Sequence, residues 1–98
     1  MGLGQIMAKK TKIRQSARNE ACALRVSPQC QDGETVVLCH LNSPNKGMGI
    51  KSPDIFGVYG CYWCHQQLDS GNVNYSDKLR ALMETQYKLV EKGLISYG

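Results

Sequence analysis

Four cysteines arranged as two pairs constrain this chain more than any other feature. Cys22 and Cys30 enclose seven residues, and after thirty further residues Cys61 and Cys64 enclose two. Zn²⁺ prefers a tetrahedron of soft ligands, and a tight turn brings both sulfurs of a pair to one side of the ion. The spacing therefore predicts a structural zinc site. Free buried thiols and mixed cysteine–histidine ligation are the alternatives.

The chain is short enough to benefit from such a site. Its 98 residues allow one domain with one modest core. Structural zinc supplies ~10–16 kcal/mol of apparent binding energy in peptide sites, which is comparable to the stability of a whole domain. We expect one domain over residues 13–98, preceded by a flexible basic segment over residues 1–12.

The other interpretations of the cysteines depend on the cellular compartment. No apolar run approaches the roughly 18 residues of a membrane span, and the N-terminus lacks the apolar stretch of a signal peptide. A cytoplasmic, reducing location without a membrane partner is expected, so disulfides are the weaker interpretation. The run Cys61-x-x-Cys64-His65 also matches c-type haem attachment and a thioredoxin-like pair. The first needs export, and the second needs a βαβ pattern that this sequence lacks.

Basic side chains concentrate near the N-terminus. The net charge is +4, and residues 1–26 hold six basic side chains against a single acid, Glu20. Such an excess suits a polyanionic partner, here predicted to be DNA, and a solvated tail is the alternative. The predicted phosphate contacts are Lys9, Lys10, Lys12, Arg14 and Arg18.

Hydrophobic patterns predict an α+β chain with short elements. Strands are expected over residues 22–26, 35–41 and 56–60. A helical turn capped by Ser16 is expected over residues 16–20, and a long loop over residues 42–53. A short helix is expected after His65, ending at residues 70–72.

The C-terminal segment predicts the clearest helix, an amphipathic one. Ser76 is the expected N-cap, and Gly93 can end the helix in a left-handed conformation. One stripe of apolar residues at helical spacing is predicted to pack in the core: Leu79, Leu82, Met83, Tyr87, Val90 and Leu94.

Two histidines flank the long loop and the second cysteine pair. His40 ends the strongest predicted strand, and His65 follows Cys64 directly. A strand, loop, strand and helix carrying these histidines is the layout of a ββα-metal nuclease site, in which one histidine activates water and the other helps hold a divalent ion. The alternative is that His40 packs within its strand and His65 only caps the cysteine pair.

The stretch from Arg14 to Asp69 resembles the YbcO family of small prophage-encoded proteins. The segments that carry the resemblance are Ser16-Ala17-Arg18, Cys22, Cys30, Glu34-Thr35-Val36-Val37-Leu38, His40, Gly49-Ile50-Lys51, Pro53-Asp54, Phe56-Gly57 and Cys61-x-x-Cys64-His65. The helix that ends in Glu91-Lys92-Gly93 is similar as well. The resemblance implies an HNH-like (His-Me finger) endonuclease fold with bound zinc, encoded by a phage or prophage in a bacterial cell.

By position, His40 resembles the general base of the HNH pattern, and His65 resembles the ligand of its catalytic metal. Asp54 is the candidate for the residue between them, with Asn42 and Asn45 as the alternatives. The resemblance thus implies a second divalent ion, Mg²⁺, Mn²⁺, Ni²⁺ or Zn²⁺, at the active site.

Cys39 departs from that pattern, because many HNH nucleases carry an acidic metal ligand just before the base. A thiol is a poor ligand for Mg²⁺. Either Asp54 substitutes for the missing acid, or the site uses a softer ion, or the site is inactive.

The leading prediction is a metal-dependent endonuclease that hydrolyses phosphodiester bonds in DNA during phage recombination or DNA processing, without a small-molecule substrate. A zinc-ribbon module that binds nucleic acid without cutting it is the second hypothesis. A small structural or regulatory protein is the third. The basic segment favours the first two over the third. The pair formed by His40 and His65 favours the first over the second.

Overall fold

The computed structural model describes residues 11–41 and 53–96, and within them the chain is α+β, as predicted. The helices are α1 (Lys12–Ser16), α2 (Tyr62–Asp69) and α3 (Tyr75–Glu91). The strands are β1 (Val37–His40) and β2 (Gly57–Gly60), and a 3-10 turn, Asp54–Phe56, directly precedes β2. Of the predicted loop over residues 42–53, only Pro53 belongs to the described residues. Lys9 and Lys10, two of the predicted phosphate contacts, lie outside them.

The two strands form an antiparallel pair. Val37 lies opposite Gly60, and His40 lies opposite Gly57. A Cβ atom on Gly57 would lie 2.5 Å from Leu38 Cγ, so glycine allows the Leu38 side chain to close over the partner strand. The register therefore places His40 at the end of the pair that adjoins the 3-10 turn, away from the start of α2.

The outer edge of β2 is covered by two other segments. The Ala23 N–H donates to the Tyr59 carbonyl over 2.8 Å, and the Tyr59 N–H donates to Thr85 Oγ1 over 3.0 Å. These contacts satisfy polar groups that a strand edge otherwise leaves unpaired. The predicted strand over residues 22–26 is wrong, because Arg25 adopts a φ of 50° and turns the chain away from β2.

Helix α1 lies earlier in the chain than predicted. Thr11 is its N-cap, and Thr11 Oγ1 accepts a bond of 3.0 Å from the Arg14 N–H. Ser16 is its last residue rather than its cap, and the Ser16 hydroxyl lies 2.7 Å from the Tyr59 hydroxyl. The helical turn predicted over residues 16–20 does not form, because Asn19 adopts a left-handed conformation with a φ of 63°.

Helix α3 begins two residues earlier than a Ser76 cap would require. Asn74 is the observed N-cap, and its Oδ1 accepts a bond of 2.8 Å from the Asp77 N–H. Gly93 ends the helical segment with a φ of 74°, as predicted. Among the described residues, no helix is both long and apolar enough to cross a membrane.

The predicted buried stripe of α3 is wrong in its principal residues. Leu79, Met83 and Tyr87 are 58%, 62% and 67% exposed, and Leu82 and Leu94 are only partly buried against the core. The fully buried face consists of Ala81, Thr85 and Leu89. These side chains are mostly small, and Thr85 bonds to the β2 backbone, so the helix can lie close to the strand.

Candidate functional site

The four paired cysteines converge, as predicted. Their Sγ atoms all lie within 4.8 Å of one another, and Cys22, Cys61 and Cys64 are buried while Cys30 is half-buried. A tetrahedral Zn²⁺ with bonds of about 2.3 Å places its sulfur ligands about 3.8 Å apart. The cluster can therefore hold a structural metal such as zinc after small adjustments.

Local structure sets the direction of each cysteine pair. Cys61 is the N-cap of α2 and Cys64 lies in its first turn, so the helix brings these two sulfurs to one side. The first pair spans the segment that contains Arg25, whose left-handed conformation bends the chain between Cys22 and Cys30. Arg25 Nη1 also donates to the Cys22 carbonyl over 3.3 Å, which stabilises this bend.

Backbone N–H groups surround the sulfurs. The Cys61 N–H donates to Cys22 Sγ over 3.3 Å, and the Val26 N–H donates to Cys64 Sγ over 3.4 Å. Burial raises the pKa values of Cys30 and Cys64 and opposes ionisation of Cys61, but at Cys61 backbone donors from Gln31 and Cys64, together with the Cys64 and Cys22 thiols, lower the pKa to about 7. Such donors stabilise thiolates, the form that binds metal, so the surroundings of the cluster fit zinc.

A second polar group lies at the other end of the strand pair. His40 Nε2 is 2.7 Å from Asp54 Oδ1, and Arg14 Nε donates to the same oxygen over 3.1 Å. Thr11 Oγ1 donates to Asp54 Oδ2 over 2.6 Å. The 3-10 turn positions Asp54, the end of β1 positions His40, and α1 supplies the other two groups.

The electrostatics of this group favour a charged carboxylate. Burial opposes the charge on Asp54, but bonds from Thr11, His40 and Arg14 together hold the Asp54 pKa below its usual range. The side chains of His40 and Asp54 are 20% and 15% exposed, so the pair is shielded yet reachable from solvent.

An open groove of about 640 Å³ runs beside α1 and β1. Its lining residues are Arg14, Gln15, Arg18, Glu34, Val36, Val37 and Leu38. Two of the predicted phosphate contacts, Arg14 and Arg18, thus share one surface, and Arg14 connects that surface to Asp54. Lys12 is exposed on α1.

His65 lies on α2, the element on which it was predicted. Its Nε2 is 3.5 Å from Asp69 Oδ2, one helical turn further on. Within residues 11–41 and 53–96, only the cysteine cluster brings three or more His, Cys, Asp or Glu ligand atoms close enough to hold one ion. His40, Asp54 and His65 do not form such a set there, and Asn42 and Asn45 lie outside the described residues.

Cys39 belongs to the core and not to the His40 group. Successive strand residues point to opposite faces, so Cys39 and His40 diverge. Cys39 is fully buried, with its Sγ 3.8 Å from the Gly60 carbonyl, and burial raises its pKa to about 12. The residue before the histidine is therefore a neutral thiol rather than a metal ligand.

The sequence prediction missed the contribution of α1 to this group. Thr11 was not singled out, and Arg14 was predicted only as a phosphate contact. Thr11 carries an N-cap signal, but its bond to Asp54 joins residues 43 apart in the chain. Periodicity and spacing contain no information about such a contact.

The described residues thus form a small α+β protein with a thiol cluster that could hold a metal and a separate histidine–aspartate pair. The family model described as "Putative nuclease YbcO" matches residues 11–92, and the chain belongs to that family. The chain is also similar to the solved structure of "a putative bacteriophage protein" from Escherichia coli str. K-12 substr. MG1655. The two share 27% sequence identity with a TM-score of 0.62, over 84% of this chain and 100% of the other. No curated protein matches the sequence.

Proposed function

We propose that this protein is an HNH-like endonuclease that hydrolyses phosphodiester bonds in DNA, with His40 as general base. Its setting would be phage or prophage DNA processing or recombination in the bacterial cytoplasm. The observation that carries this proposal is the His40–Asp54 contact of 2.7 Å beside a groove that contains two arginines. Membership of a family described as a nuclease supports the same class of reaction.

The contact with Asp54 supports a specific role for His40. A charged Asp54 beside Nε2 favours the tautomer that carries its proton on Nε2, which leaves Nδ1 to accept a proton from water. The carboxylate also stabilises the imidazolium that forms when the proton is transferred. General-base catalysis of this kind contributes typically 10²–10⁴-fold to a rate.

Asp54 is better suited to positioning His40 than to binding a metal. Both of its oxygens accept hydrogen bonds, from His40 and Arg14 at Oδ1 and from Thr11 at Oδ2. Binding an ion would require some of these donors to leave. We therefore assign Asp54 as the residue that orients the base.

The requirement for a second divalent ion stays a prediction of the HNH assignment. His65 is its proposed ligand, but the described residues do not form a second site around it. An ion at such a site would act as a Lewis acid on the scissile phosphate.

The basic groove provides a path for the DNA backbone. Arg14 uses Nε for Asp54, so the remaining donors of its planar guanidinium can face a phosphate close to His40. No acidic side chain in the described part of the chain pairs with Arg18. A phosphate at this groove would contact Arg18 and the remaining donors of Arg14, which shares the Asp54 Oδ1 acceptor with His40, and Glu34 would limit its path along the groove.

A DNA-binding module without catalysis is the second candidate. The observation that favours it is that only the cysteine cluster assembles an ion-binding set in the described residues. Such a module would use the same groove and the same structural metal but would not cut DNA.

Plasmid nicking in the presence of Mg²⁺, Mn²⁺, Ni²⁺ or Zn²⁺ separates the two candidates. We expect cleavage with at least one ion, and a loss of about 10²–10⁴-fold in the His40→Ala variant. Zinc content and DNA affinity should match the unsubstituted protein. The His65→Ala variant should respond less to added metal. Cleavage that persists in His40→Ala would reject the assigned base, and DNA binding without cleavage under every ion would favour the module.

A further inference from the structure

The outer face of α3 is apolar and unpartnered within the described residues. We define it by Tyr75, Leu79, Met83 and Tyr87, which are spaced four residues apart along the whole helix. Tyr75 is the most exposed of them, at 83%, and the other three are more than half exposed. A row of large apolar side chains on a surface marks an interaction site rather than a random exposure.

We propose that two copies of this chain associate through the α3 outer face. Ridges formed by residues four apart pack into the matching grooves of a second helix, which is the commonest geometry of helix packing in globular proteins. A two-fold axis near Met83 would place Leu79 of one copy against Tyr87 of the other. Such a face is complementary to itself, as a symmetric dimer requires.

The available area supports a second copy as the occupant. A covered tyrosine removes about 150–250 Å² from solvent, so Tyr75 and Tyr87 alone offer roughly 300–500 Å² per copy, to which Leu79 and Met83 add. Gln86 Nε2 donates to the Ile55 carbonyl over 2.7 Å, which holds the 3-10 turn against α3. Ile55 and Phe56 on that turn are 39% and 47% exposed and enlarge the apolar surface beside the helix. Stable complexes typically bury about 800 Å² on each partner, and these two side chains bring the available area closer to that value.

The charges around the face also fit a protein partner of this kind. None of the four side chains that define it is charged, so it offers nothing to a phosphate backbone. The charged neighbours Arg80 and Glu84 are already paired, Arg80 with the carbonyls of Ala23 and Leu24 and Glu84 with Arg25. Association would therefore leave these pairs intact, while Lys78, 5.1 Å from the Tyr75 ring centroid, and Glu91 lie at the two ends of the face.

Dimerisation would have a consequence for catalysis, which rests on the proposed nuclease function. The 3-10 turn beside the face carries Asp54, so a dimer contains two His40–Asp54 pairs related by a two-fold axis. The two strands of duplex DNA are related in the same way. A dimer is then suited to cutting both strands, whereas a monomer would cut one strand at a time.

Analytical ultracentrifugation of the full chain over a concentration series tests the association. We expect a species of about 22 kDa, twice the 10.9 kDa of one chain, for the unsubstituted protein and 10.9 kDa for Met83→Glu. Gln66→Glu is the matched control, because it adds the same charge at an exposed position of α2 and should leave the dimer intact. A monomeric unsubstituted protein, or a dimeric Met83→Glu, would overturn the proposal.

Plasmid assays on the same proteins test the consequence separately. We expect linear product from the dimer and only nicked circles from a folded, monomeric Met83→Glu. If neither protein cuts DNA, the nuclease function fails while the sedimentation result still decides the dimer. Equal yields of linear product from both proteins would reject the link between association and double-strand cleavage.

Discussion

The cysteine cluster and the His40–Asp54 pair lie at opposite ends of the same two strands and are built in opposite ways. The cluster takes its ligands from two short-range pairs, is largely buried, and receives backbone N–H groups at its sulfurs. The histidine pair depends on contacts from α1 and its N-cap that join residues 40 and 43 apart, and one of these residues, Arg14, also lines a groove. Under the proposed function, the first region stabilises the fold and the second carries the chemistry.

The largest expected effect on stability follows from replacing one cysteine ligand of the cluster. Cys64→Ser should release the metal and unfold the chain, because ~10–16 kcal/mol of apparent zinc binding energy exceeds the stability of most small domains. Elemental analysis and circular dichroism measure the two losses. Cys39→Ala is the matched control, since this buried cysteine lies outside the cluster and should keep the metal. A folded, metal-free Cys64→Ser protein would show that the apolar core suffices.

The cysteine cluster can be predicted from the sequence more completely than the His40–Asp54 pair, because its ligands come in short-range pairs whereas the histidine pair depends on long-range contacts. The ligands Cys61 and Cys64 lie within one helical turn, so spacing alone identifies them. His40 was predicted at a strand end because β-branched neighbours mark that strand. The bond between Thr11 and Asp54 could not be predicted, because only the folded chain brings those residues together.

Helix α3 shows a second limit of the sequence pattern. Periodicity selects large apolar residues, and it selected Leu79, Met83 and Tyr87 for the core. The strand β2 instead accepts Ala81 and Thr85, because a small side chain and a hydroxyl allow close approach and satisfy the Tyr59 N–H. A pattern of hydrophobicity records neither the distance between elements nor a hydrogen bond to a strand edge.

The second expected effect concerns the partner of the base. Asp54→Asn should lower the cleavage rate by roughly 10–100-fold, as loss of an orienting partner typically does, while the KM for DNA stays unchanged. The His40→Ala, Asp54→Asn double variant should be no slower than His40→Ala alone, because Asp54 acts through His40. Additive losses in the double variant would show that Asp54 acts independently, for instance on a metal ion.

A smaller effect is expected in the groove. Arg18→Gln should weaken DNA binding for all duplexes alike and reduce the slope of log affinity against log salt by about 0.9, the value for one phosphate contact. Fluorescence anisotropy over a salt series measures this slope. Lys78→Gln removes the same charge from α3, where Lys78 lies 5.1 Å from the Tyr75 ring centroid, and should leave the slope unchanged. Equal changes in both variants would indicate an effect of net charge alone.

The smallest effect is the contribution of Asp54 to stability, which we expect to be about 1 kcal/mol at neutral pH, far below that of the cluster. Because the folded state lowers the Asp54 pKa, this contribution is complete above the ordinary pKa of 3.8 and is lost as the pH falls through the lowered value. Urea unfolding of the unsubstituted protein and Asp54→Asn over a pH series measures it as a difference. Because metal release in acid would unfold both proteins, the comparison is made at pH values at which circular dichroism shows both to be folded. A difference that stayed constant with pH would mean that Asp54 stabilises the fold through its shape and packing rather than through its charge.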